Sequence, residues 1–483
     1  MPPDLVYYPI VPVLIVAGTA IVLLLVDAVV KRRDEDRWQL ALVLATIGGL
    51  FASMAMLAGL WEWDHESTVL GGMVAVDPFS VFAQYVIVVV AVLAALYGYR
   101  YFKRSGEAKG EFYPLLLFAT SGMMLITSAN DLIMVFVALE LLSFSLYVLT
   151  GFSDRPASSE ASMKYFLLGA FSSAFFLYGI ALAYGATGTT KIAGIANALS
   201  GETASPALAI AAAGLLIVGF AFKVSAVPFH MWTPDAYQGA PTAVTAFMSA
   251  ATKVAAFAAL IRVLDVAFQP LAWDWTPVIC VLAALTMVTG SLIAIAQTDI
   301  KRMLAYSSIA HAGFILVGLS AANSDGIRSA LFYLVSYAAM ILGAFGVVML
   351  VSARGEENTS LDSYAGLGRR SPLLAGLMAL FLLSLAGIPP TAGFIAKVAV
   401  FGAAVGAGHW PLVLIAVLAS VVAAFFYIRV IVLMYMKEPE EATAPSAGAE
   451  AFVVAVPAFL TLLFGLFPGI VFGFLEKASV IRW

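Results

Sequence analysis

The fold follows from two apolar stretches, GLLIVGFAFKVSAVPFHMW (residues 214–232) and LLSLAGIPPTAGFIAKVAVF (residues 382–401). Each carries a lysine beside a helix-breaking proline: Lys223 precedes Pro228, and Lys397 follows Pro389 and Pro390. A lysine inside lipid costs about 2.5–3.5 kcal/mol and usually marks an ion path. A break is tolerated there only where protein or a water-filled cavity satisfies the freed backbone groups. Paired interrupted helices in two halves of a chain predict a transport site.

Both stretches belong to segments that are too long for a straight membrane-spanning helix. The first covers 32 residues (206–237) and the second covers 35 residues (372–406). As continuous helices they would be about 48 and 52 Å long, because each residue adds about 1.5 Å. The hydrocarbon core of a bilayer is only about 30 Å thick. Since proline also removes a backbone hydrogen bond, two half-helices with an unwound middle are predicted for each segment.

The composition predicts an all-α integral membrane protein. Of the 483 residues, 62% are hydrophobic and 11% are charged, whereas soluble domains carry about 25% charged residues. The formal net charge of −4 says little about partners, because the placement of charge sets the topology. We predict membrane lipid, and no nucleic acid, as a partner. Cys280 is the single cysteine, and no Cys/His spacing for zinc or an iron–sulfur cluster is present.

The polar connections predict the number and orientation of the membrane spans. Lys and Arg concentrate in alternate connections such as KRRDEDR, RYFKRSGEAKGE and QTDIKR. The positive-inside rule places these, with Lys301 and Arg302, in the cytoplasm as topology anchors. Both termini are then expected on the outer side of a bacterial plasma (inner) membrane. About fourteen apolar segments of spanning length are centred near Val16, Ile47, Val89, Ser121, Glu140, Phe175, Leu216, Ala256, Leu285, Phe314, Ala339, Leu385, Ser420 and Leu462.

Similar features recur in the two halves and predict an internal repeat. Lys223 and Lys397 are 174 residues apart, and Glu140 and His311 are 171 apart. A unit of five helices is odd, so the second unit is expected upside down relative to the first, as in many transporters. The predicted organisation is one polytopic membrane domain (1–483) with N-terminal helices (1–105), a first repeat (112–265), a second repeat (277–437) and a C-terminal helix (451–475).

Glu140 is the first candidate for proton chemistry, because it stands alone in the apolar run DLIMVFVALELLSFSLYVLTGF. Desolvation favours the protonated form of a buried carboxylate, whereas a nearby ammonium favours ionisation. Lys223 is its natural partner, and the protonation states of such a pair are coupled. A purely structural ion pair that joins two helices is an equally weighted alternative, since structural networks also perturb titration.

Lys253 and Lys397 extend this set to three intramembrane lysines. Lys253 lies in TAFMSAATKVAAFAALIRVL, at mid-helix and without an acid nearby in the sequence. Snorkelling to the interface is the plain alternative, but the central position argues against it. A lysine without a fixed anion can release its proton when dry and regain it when hydrated. A row of such groups therefore indicates a proton path.

Three further residues are weaker candidates. His311 titrates near neutral pH and could relay protons, although a lone helix histidine is more often a hydrogen-bonded packing residue. His230 follows the break at Pro228 and could line a cavity or cap exposed backbone. Lys164 could contact Glu140 across adjacent helices or could simply face the cytoplasm from a helix end.

The chain lacks the motifs that would let it power transport alone. It has no phosphate-binding P-loop, no GxGxxG that opens a helix after a strand, and no regular arginine repeat for voltage sensing. Nothing in the sequence indicates redox chemistry or ATP hydrolysis by this chain. The energy for transport is therefore expected from an ion gradient or a partner.

Four stretches resemble a known family. They are NDLIMVFVALELLSFSLYVLTGF, EASMKYFLLGAFSSAFFLYGIAL, FKVSAVPFHMWTPDAYQGAPTAVTAFMSAATKVAAF and QTDIKRMLAYSSIAHAGFILVGL. They resemble the antiporter-like membrane subunits of respiratory complex I, the NADH:quinone oxidoreductase. The stretch FHMWTPDAYQGAPTAV is specific and is similar to the N-type within this family rather than to the M and L types. The resemblance covers the chain from about residue 77 to residue 436.

The resemblance implies fourteen transmembrane helices with two inverted five-helix repeats and discontinuous helices 7 and 12. It implies that Glu140 and Lys223 form the coupled pair, that Lys253 links two half-channels, and that Lys397 serves the outlet-side half. All four positions are filled as that pattern requires.

The resemblance also implies that protons move through this chain when quinone is reduced elsewhere. No cofactor is expected in this chain, whereas NADH, FMN, iron–sulfur clusters and quinone belong to partner subunits. The expected partners are other membrane-arm subunits, including a neighbouring antiporter-like one. A stand-alone or Mrp-type cation/proton antiporter shares this fold and stays open, as does a purely structural subunit. The three buried lysines argue against the structural subunit.

Overall fold

Helices make up most of the described chain, because a backbone in lipid must satisfy its polar groups internally. The structure is a computed structural model that describes residues 7–30, 35–62, 67–106, 109–201, 204–352, 357, 359–438 and 451–481. The N-terminal part contains α1 (Val11–Val29), α2 (Glu35–Trp61), β1 (Ser67–Val69), β2 (Val74–Val76) and α3 (Pro78–Ser105). The two short strands pair antiparallel, with Ser67 opposite Val76.

Two helical units follow, and each contains one interrupted helix. The first unit consists of α4 (Phe112–Ser128), α5 (Leu132–Thr150), α6 (Pro156–Thr187), α7 (Ile192–Ser200), α8 (Pro206–Val224), α9 (Trp232–Gly239) and α10 (Thr242–Arg262). The second consists of α11 (Ala272–Ile295), α12 (Ile300–Leu319), α13 (Ser324–Val351), α14 (Leu367–Arg370), α15 (Pro372–Ala386), α16 (Ala392–Gly406) and α17 (Trp410–Met436). The bent pair α18 (Ala451–Leu466) and α19 (Gly469–Ala478) ends the described chain.

The helix lengths agree with the predicted number of spans. In the described ranges, 11 helices are long and apolar enough to cross a membrane, and α18 with α19 forms one further bent span. The shorter apolar helices are α4 and the two half-helices α15 and α16. If α4 counts as a span and α15 with α16 as another, the total is the fourteen that the sequence predicts.

The two predicted breaks are confirmed. The first lies between Val224 and Trp232, and the second between Ala386 and Ala392. Side chains satisfy backbone groups at both breaks, as the surrounding lipid requires: the Val227 amide donates to Thr286 Oγ1 at 2.9 Å. In the second break, the Lys397 ammonium donates to the Ala386 carbonyl at 2.7 Å.

A matched pair of backbone bridges relates the two units. Asp131, at the start of α5, pairs with Lys191 in an isolated antiparallel bridge, and Asp299, at the start of α12, pairs in the same way with Ser360. Both aspartates also cap the helix that they precede, as aspartate at an N-cap does. The bridged positions are separated by 168 and 169 residues, so the repeat is visible in local geometry.

This register differs from the one expected from the sequence. With a separation of 168, Glu140 corresponds to Ser308, which lies one helical turn before His311. The sequence comparison matched residue types rather than helix starts, and it therefore placed the register three residues late.

The lysines at the two breaks are not equivalent either. Ser225 and Gly387 both take the left-handed conformation that ends the first half-helix, so the breaks align at a separation of 162. Lys223 then precedes Ser225 by two residues, whereas Lys397 follows Gly387 by ten residues. The two ammonium groups reach their breaks from opposite half-helices.

Contacts around Glu357 show that the second unit is inverted. Glu357 belongs to the connection after α13, yet its carboxylate contacts Arg155 before α6 and Thr242 at the start of α10. It also contacts Lys301 at the start of α12. In the first unit, the connections α5–α6 and α9–α10 therefore lie on the same side as the connections α11–α12 and α13–α14 of the second unit. Counted by spans, these are the second and fourth connections of the first unit and the first and third connections of the second. Even-numbered connections of one repeat can lie on the same side as odd-numbered connections of the other only if one repeat is upside down relative to the other.

Gly393 marks a tight contact within the second break. A Cβ atom there would lie 1.8 Å from the backbone oxygen of Ser384, which belongs to the facing half-helix. Since backbone cannot yield as a side chain can, we expect Gly393→Ala to separate α15 from α16 and to destabilise the protein by about 1–3 kcal/mol.

The amount of folded Gly393→Ala protein and its thermal transition in detergent would measure this effect. Gly402→Ala is a matched control on the same helix, because no atom lies within 4 Å of its added Cβ. Equal stability of the two variants would contradict this account of the break.

Candidate functional site: a row of buried lysines

Lys223 is the next-to-last residue of α8, and its ammonium binds hydroxyl groups rather than the Glu140 carboxylate. Its side chain is only 4% exposed. The ammonium donates to Ser143 Oγ at 2.9 Å and to the Tyr165 hydroxyl at 3.0 Å. Tyr165 in turn stacks on Trp232, with ring centroids 4.2 Å apart. The aromatic pair therefore fixes one of the two oxygens that hold the ammonium.

Glu140 lies one turn before Ser143 on α5, and it is only partly buried. Its Oε1 accepts a hydrogen bond from Ser173 on α6 at 2.5 Å. Lys223 of α8 therefore contacts α5 one turn after Glu140, but each of the predicted partners binds a hydroxyl instead of forming a direct ion pair. This arrangement corresponds to the separated form of the predicted pair.

Lys253 lies in the middle of α10, where every residue is buried. Its ammonium donates to the Ser308 carbonyl at 2.8 Å and approaches the Val224 carbonyl at 3.5 Å. It also lies 5.6 Å from the centroid of the Tyr337 ring. Lys253 thus bridges the end of α8, next to Lys223, to the middle of α12.

His311 follows Ser308 by one turn on α12 and is 1% exposed. Its Nδ1 lies 2.8 Å from the Tyr333 hydroxyl, and its Nε2 lies 3.2 Å from the Tyr427 hydroxyl. Tyr427 also forms a short hydrogen bond with Ser307. Both ring nitrogens therefore face groups that can donate or accept a proton, as a histidine relay requires.

Lys397 of α16 lies beside α12, one turn beyond His311. Besides the Ala386 carbonyl, its ammonium donates to Ser420 Oγ at 2.7 Å. It lies 4.9 Å from the centroid of the Phe314 ring, and Phe314 follows His311 by three residues. Ser308, His311 and Phe314 share one face of α12 at helical spacing. That face spans about 9 Å along the helix axis and connects Lys253, His311 and Lys397.

The two weaker candidates lie apart from this row. His230 is in the first break and is 7% exposed, and its Nδ1 is buried without a hydrogen-bond partner among the described residues. Lys164 binds Glu160 at 2.7 Å and Asp235 at 3.0 Å. Lys164 is therefore directed away from Glu140, and its side chain is 46% exposed, as expected of a helix-end lysine.

Sequence reasoning missed a buried charge cluster at Lys301. The sequence predicted Lys301 only as a cytoplasmic topology anchor and gave no partner for it. In the structure it is 0% exposed and donates to Glu357 at 3.0 Å and to the Ala240 carbonyl at 2.5 Å. Glu357 also accepts from Arg155 at 2.9 Å. Its partners lie 56 and 202 residues away, so no local pattern in the sequence could have revealed them.

The Glu357 carboxylate stays charged over the physiological range. Burial alone would raise the pKa of this carboxyl, but the Lys301 ammonium and the Arg155 guanidinium outweigh burial and lower its pKa from 4.5 to about 2. Because the folded-state pKa lies below the unfolded value, the cluster stabilises the protein fully above about pH 4.5. That stabilisation is lost as the pH falls towards 2.

A second buried ion pair joins the other end of α10 to the start of α3. Arg262 Nη2 lies 2.8 and 2.9 Å from the two carboxylate oxygens of Asp77. Both side chains are almost completely buried, at 1% and 0% exposure. In the described ranges, no three His, Cys, Asp or Glu side chains are grouped as metal ligands would be.

Two inverted units, two interrupted helices and a row of membrane-buried lysines define an antiporter-like proton-translocating membrane protein. The comparisons with known proteins agree with this class. The family model described as "NADH:quinone oxidoreductase/Mrp antiporter, TM" matches residues 129–423. The chain belongs to the subunit N family of NADH-quinone oxidoreductases.

Individual relatives match along nearly the whole chain. The chain is 45% identical to NADH-quinone oxidoreductase subunit N of Rhodococcus opacus, over 99% of this chain and 96% of that protein. It is 42% identical to subunit N of Mycobacterium tuberculosis, over 99% of this chain and 98% of that protein.

Solved structures show the same architecture. A chain of respiratory complex I from Thermus thermophilus is 35% identical, with a TM-score of 0.81 over 96% of this chain and 98% of that chain. A chain of the Mrp complex from Dietzia has a TM-score of 0.84 over 98% of this chain and 97% of that chain. At 23% identity, this second likeness concerns the fold alone.

Proposed function

We propose that the buried row moves protons through Glu140, Lys223, Lys253, His311 and Lys397. The chain is a proton-translocating subunit in the membrane arm of NADH:quinone oxidoreductase, driven by quinone reduction in other subunits. The observation that carries the proposed roles is the continuous set of contacts along α12. Lys253 binds a carbonyl of this helix, His311 projects from it, and Lys397 lies over its next turn.

Lys223 is the gating element of the proposed relay. When it pairs with Glu140, the opposite charge keeps the ammonium protonated. When it moves to Ser143 and Tyr165, as in this structure, it keeps only neutral acceptors in a buried place. Loss of the carboxylate then favours release of its proton towards Lys253. Charge displacement caused by quinone reduction would switch the pair between these two arrangements.

Lys253 and His311 are the middle of the proposed relay. Lys253 faces carbonyl oxygens and no carboxylate among its described contacts, so a proton is not trapped there by a fixed anion. His311 lies between two tyrosine hydroxyls and can accept a proton on one nitrogen while releasing one from the other. Lys397 receives the proton at the second break. His230 and Lys164 lie apart from this row and have no step in the proposed relay.

The setting of the chain follows from the same proposal. NADH, FMN, iron–sulfur clusters and quinone are bound by partner subunits. A neighbouring antiporter-like subunit packs against this chain in the membrane arm, and lipid covers the rest. We place the chain in the bacterial inner membrane with both termini on the outer side. We also keep the division into N-terminal helices (1–105), repeats (112–265 and 277–437) and a C-terminal helix (451–475).

Purification of the tagged chain from its own membranes in mild detergent tests this assignment. Co-purified flavin, iron–sulfur subunits and NADH-driven quinone reduction are the expected result. If the chain co-purified only with other membrane subunits and without this activity, the result would instead favour an Mrp-type cation/proton antiporter, whose fold is the same.

Glu140→Gln tests the gating pair. The amide keeps a hydrogen bond with Ser173 but removes the charge that holds the Lys223 proton. We therefore expect proton pumping per NADH to fall several-fold while the complex still assembles, since loss of a positioned proton-transfer group is costly. Proton uptake in vesicles at matched NADH turnover measures this. Glu160→Gln is a control on an exposed carboxylate, and equal pumping by both variants would remove Glu140 from the relay.

A further inference from the structure

The helix that carries Lys253 is held at both ends by carboxylates from outside its own unit. Asp77, at the start of α3, binds Arg262 at the last residue of α10. Glu357, from the connection after α13, binds Thr242 at the first residue of α10. The Glu357 carboxylate complements the dipole of α10, because it is an anion at the N-terminus of that helix.

The Glu357 contact satisfies the start of α10. Thr242 follows Pro241, which offers no capping side chain. Glu357 Oε1 accepts from the Thr242 amide at 2.8 Å and from its hydroxyl at 2.7 Å. The first amides of a helix have no partner within the helix. A buried carboxylate from another part of the chain therefore does what an N-cap side chain usually does.

The same carboxylate also holds the start of α12. Its other oxygen, Oε2, binds Lys301, and Lys301 in turn donates to the Ala240 carbonyl just before α10. The beginnings of α10 and α12 are thus tied through one buried group. About 16 Å further along α10 is Lys253, and about 10 Å further along α12 is Ser308. These two residues form the Lys253 Nζ–Ser308 carbonyl contact.

We propose that Glu357 is a positioning residue of the proton relay, because it fixes α10 against α12 and thereby sets the Lys253–Ser308 contact. The inference rests on the proposed function. A carboxylate that only fastened a surface loop would not need burial or partners on two relay helices. Asp362, in the same connection, shows the contrast: it is 64% exposed and binds the half-exposed Lys437.

Glu357→Gln in the whole complex tests the proposal. Glutamine can still accept from Thr242, but it no longer neutralises Lys301. We expect the number of protons moved per NADH to fall about threefold or more, since small misplacements of reacting groups are costly. The amount of assembled complex is measured alongside, so that a lower yield is not mistaken for a lower ratio. Asp362→Asn should keep the parental ratio.

The double variant Glu357→Gln with Lys301→Gln guards against misfolding. It removes the buried charges of Glu357 and Lys301 together, so no buried ammonium is left without its carboxylate. Arg155, the third member of the cluster, is 36% exposed and keeps access to water. We expect it to assemble and to show the same reduced ratio. An assembled variant with the parental ratio would overturn the proposal. So would failure of both variants to assemble, because Glu357 would then act only in folding.

Lys253→Met, assayed in parallel, separates this inference from the proposed function. If Lys253→Met loses pumping and Glu357→Gln keeps it, only the positioning role fails. If Lys253→Met also keeps the full ratio, the relay itself fails.

Discussion

Replacing Lys223 by methionine is expected to abolish proton pumping by this chain. Methionine preserves much of the side-chain volume but cannot carry a proton or bind Ser143 and Tyr165. Loss of a group that transfers protons usually lowers rates by about 10²–10⁴-fold, so we expect pumping at this subunit to fall below detection. Because pumping and electron transfer are coupled, NADH-driven quinone reduction should slow as well.

The decisive measurement is proton uptake by membrane vesicles that contain equal amounts of assembled complex. NADH oxidation with an artificial acceptor should stay normal, since that reaction does not need the membrane arm. Lys437→Met is the matched control, because Lys437 is half exposed and pairs with Asp362 at 3.1 Å. Full pumping by Lys223→Met would remove this residue from the mechanism.

Replacing Arg262 by methionine is expected to cause the largest loss of stability. The variant would leave the Asp77 carboxylate buried without its bidentate partner, and breaking one side of a buried ion pair costs about 3–5 kcal/mol. A loss of this size is a large part of the stability of most proteins. We expect little subunit in the membrane and a lower thermal transition in detergent.

The double variant Asp77→Asn with Arg262→Met isolates the cause. Asparagine remains a good N-cap and keeps the start of α3, where Asp77 accepts from the Ser80 amide at 2.9 Å. With neither charge present, most of the lost stability should return. A single variant as stable as the parent protein would show that Asp77 finds another partner.

The sequence predicts most of the fold because its strongest signals are local. Helix length, Pro228 and the pair Pro389 and Pro390 predict the two breaks, and the structure places both where expected. Lysines in apolar runs predict a buried path, and Lys223, Lys253 and Lys397 are all buried. These inferences need only the cost of polar groups in lipid.

What the sequence does not predict depends on partners that are distant in the chain. Nothing near Glu357 indicates that it reaches the starts of α6, α10 and α12, so the sequence contains no sign that Lys301 is buried in an ion cluster. The tyrosines that flank His311 come from α13 and α17. The sequence also does not predict that Lys223 binds Ser143 and Tyr165 while Glu140 binds Ser173, because these contacts depend on side-chain position.

The contacts of Glu357 also bear on how the chain is made. Thr242 and Glu357 are 115 residues apart, so the start of α10 lacks its carboxylate until the ribosome has added that much more chain. At about 5–20 residues per second this interval is roughly 6–23 s. The Asp131 bridge to Lys191 closes a span of only 60 residues and is complete far sooner. During synthesis, α10 of the first unit therefore lacks the carboxylate at its N-terminus until the second unit has been made as far as Glu357.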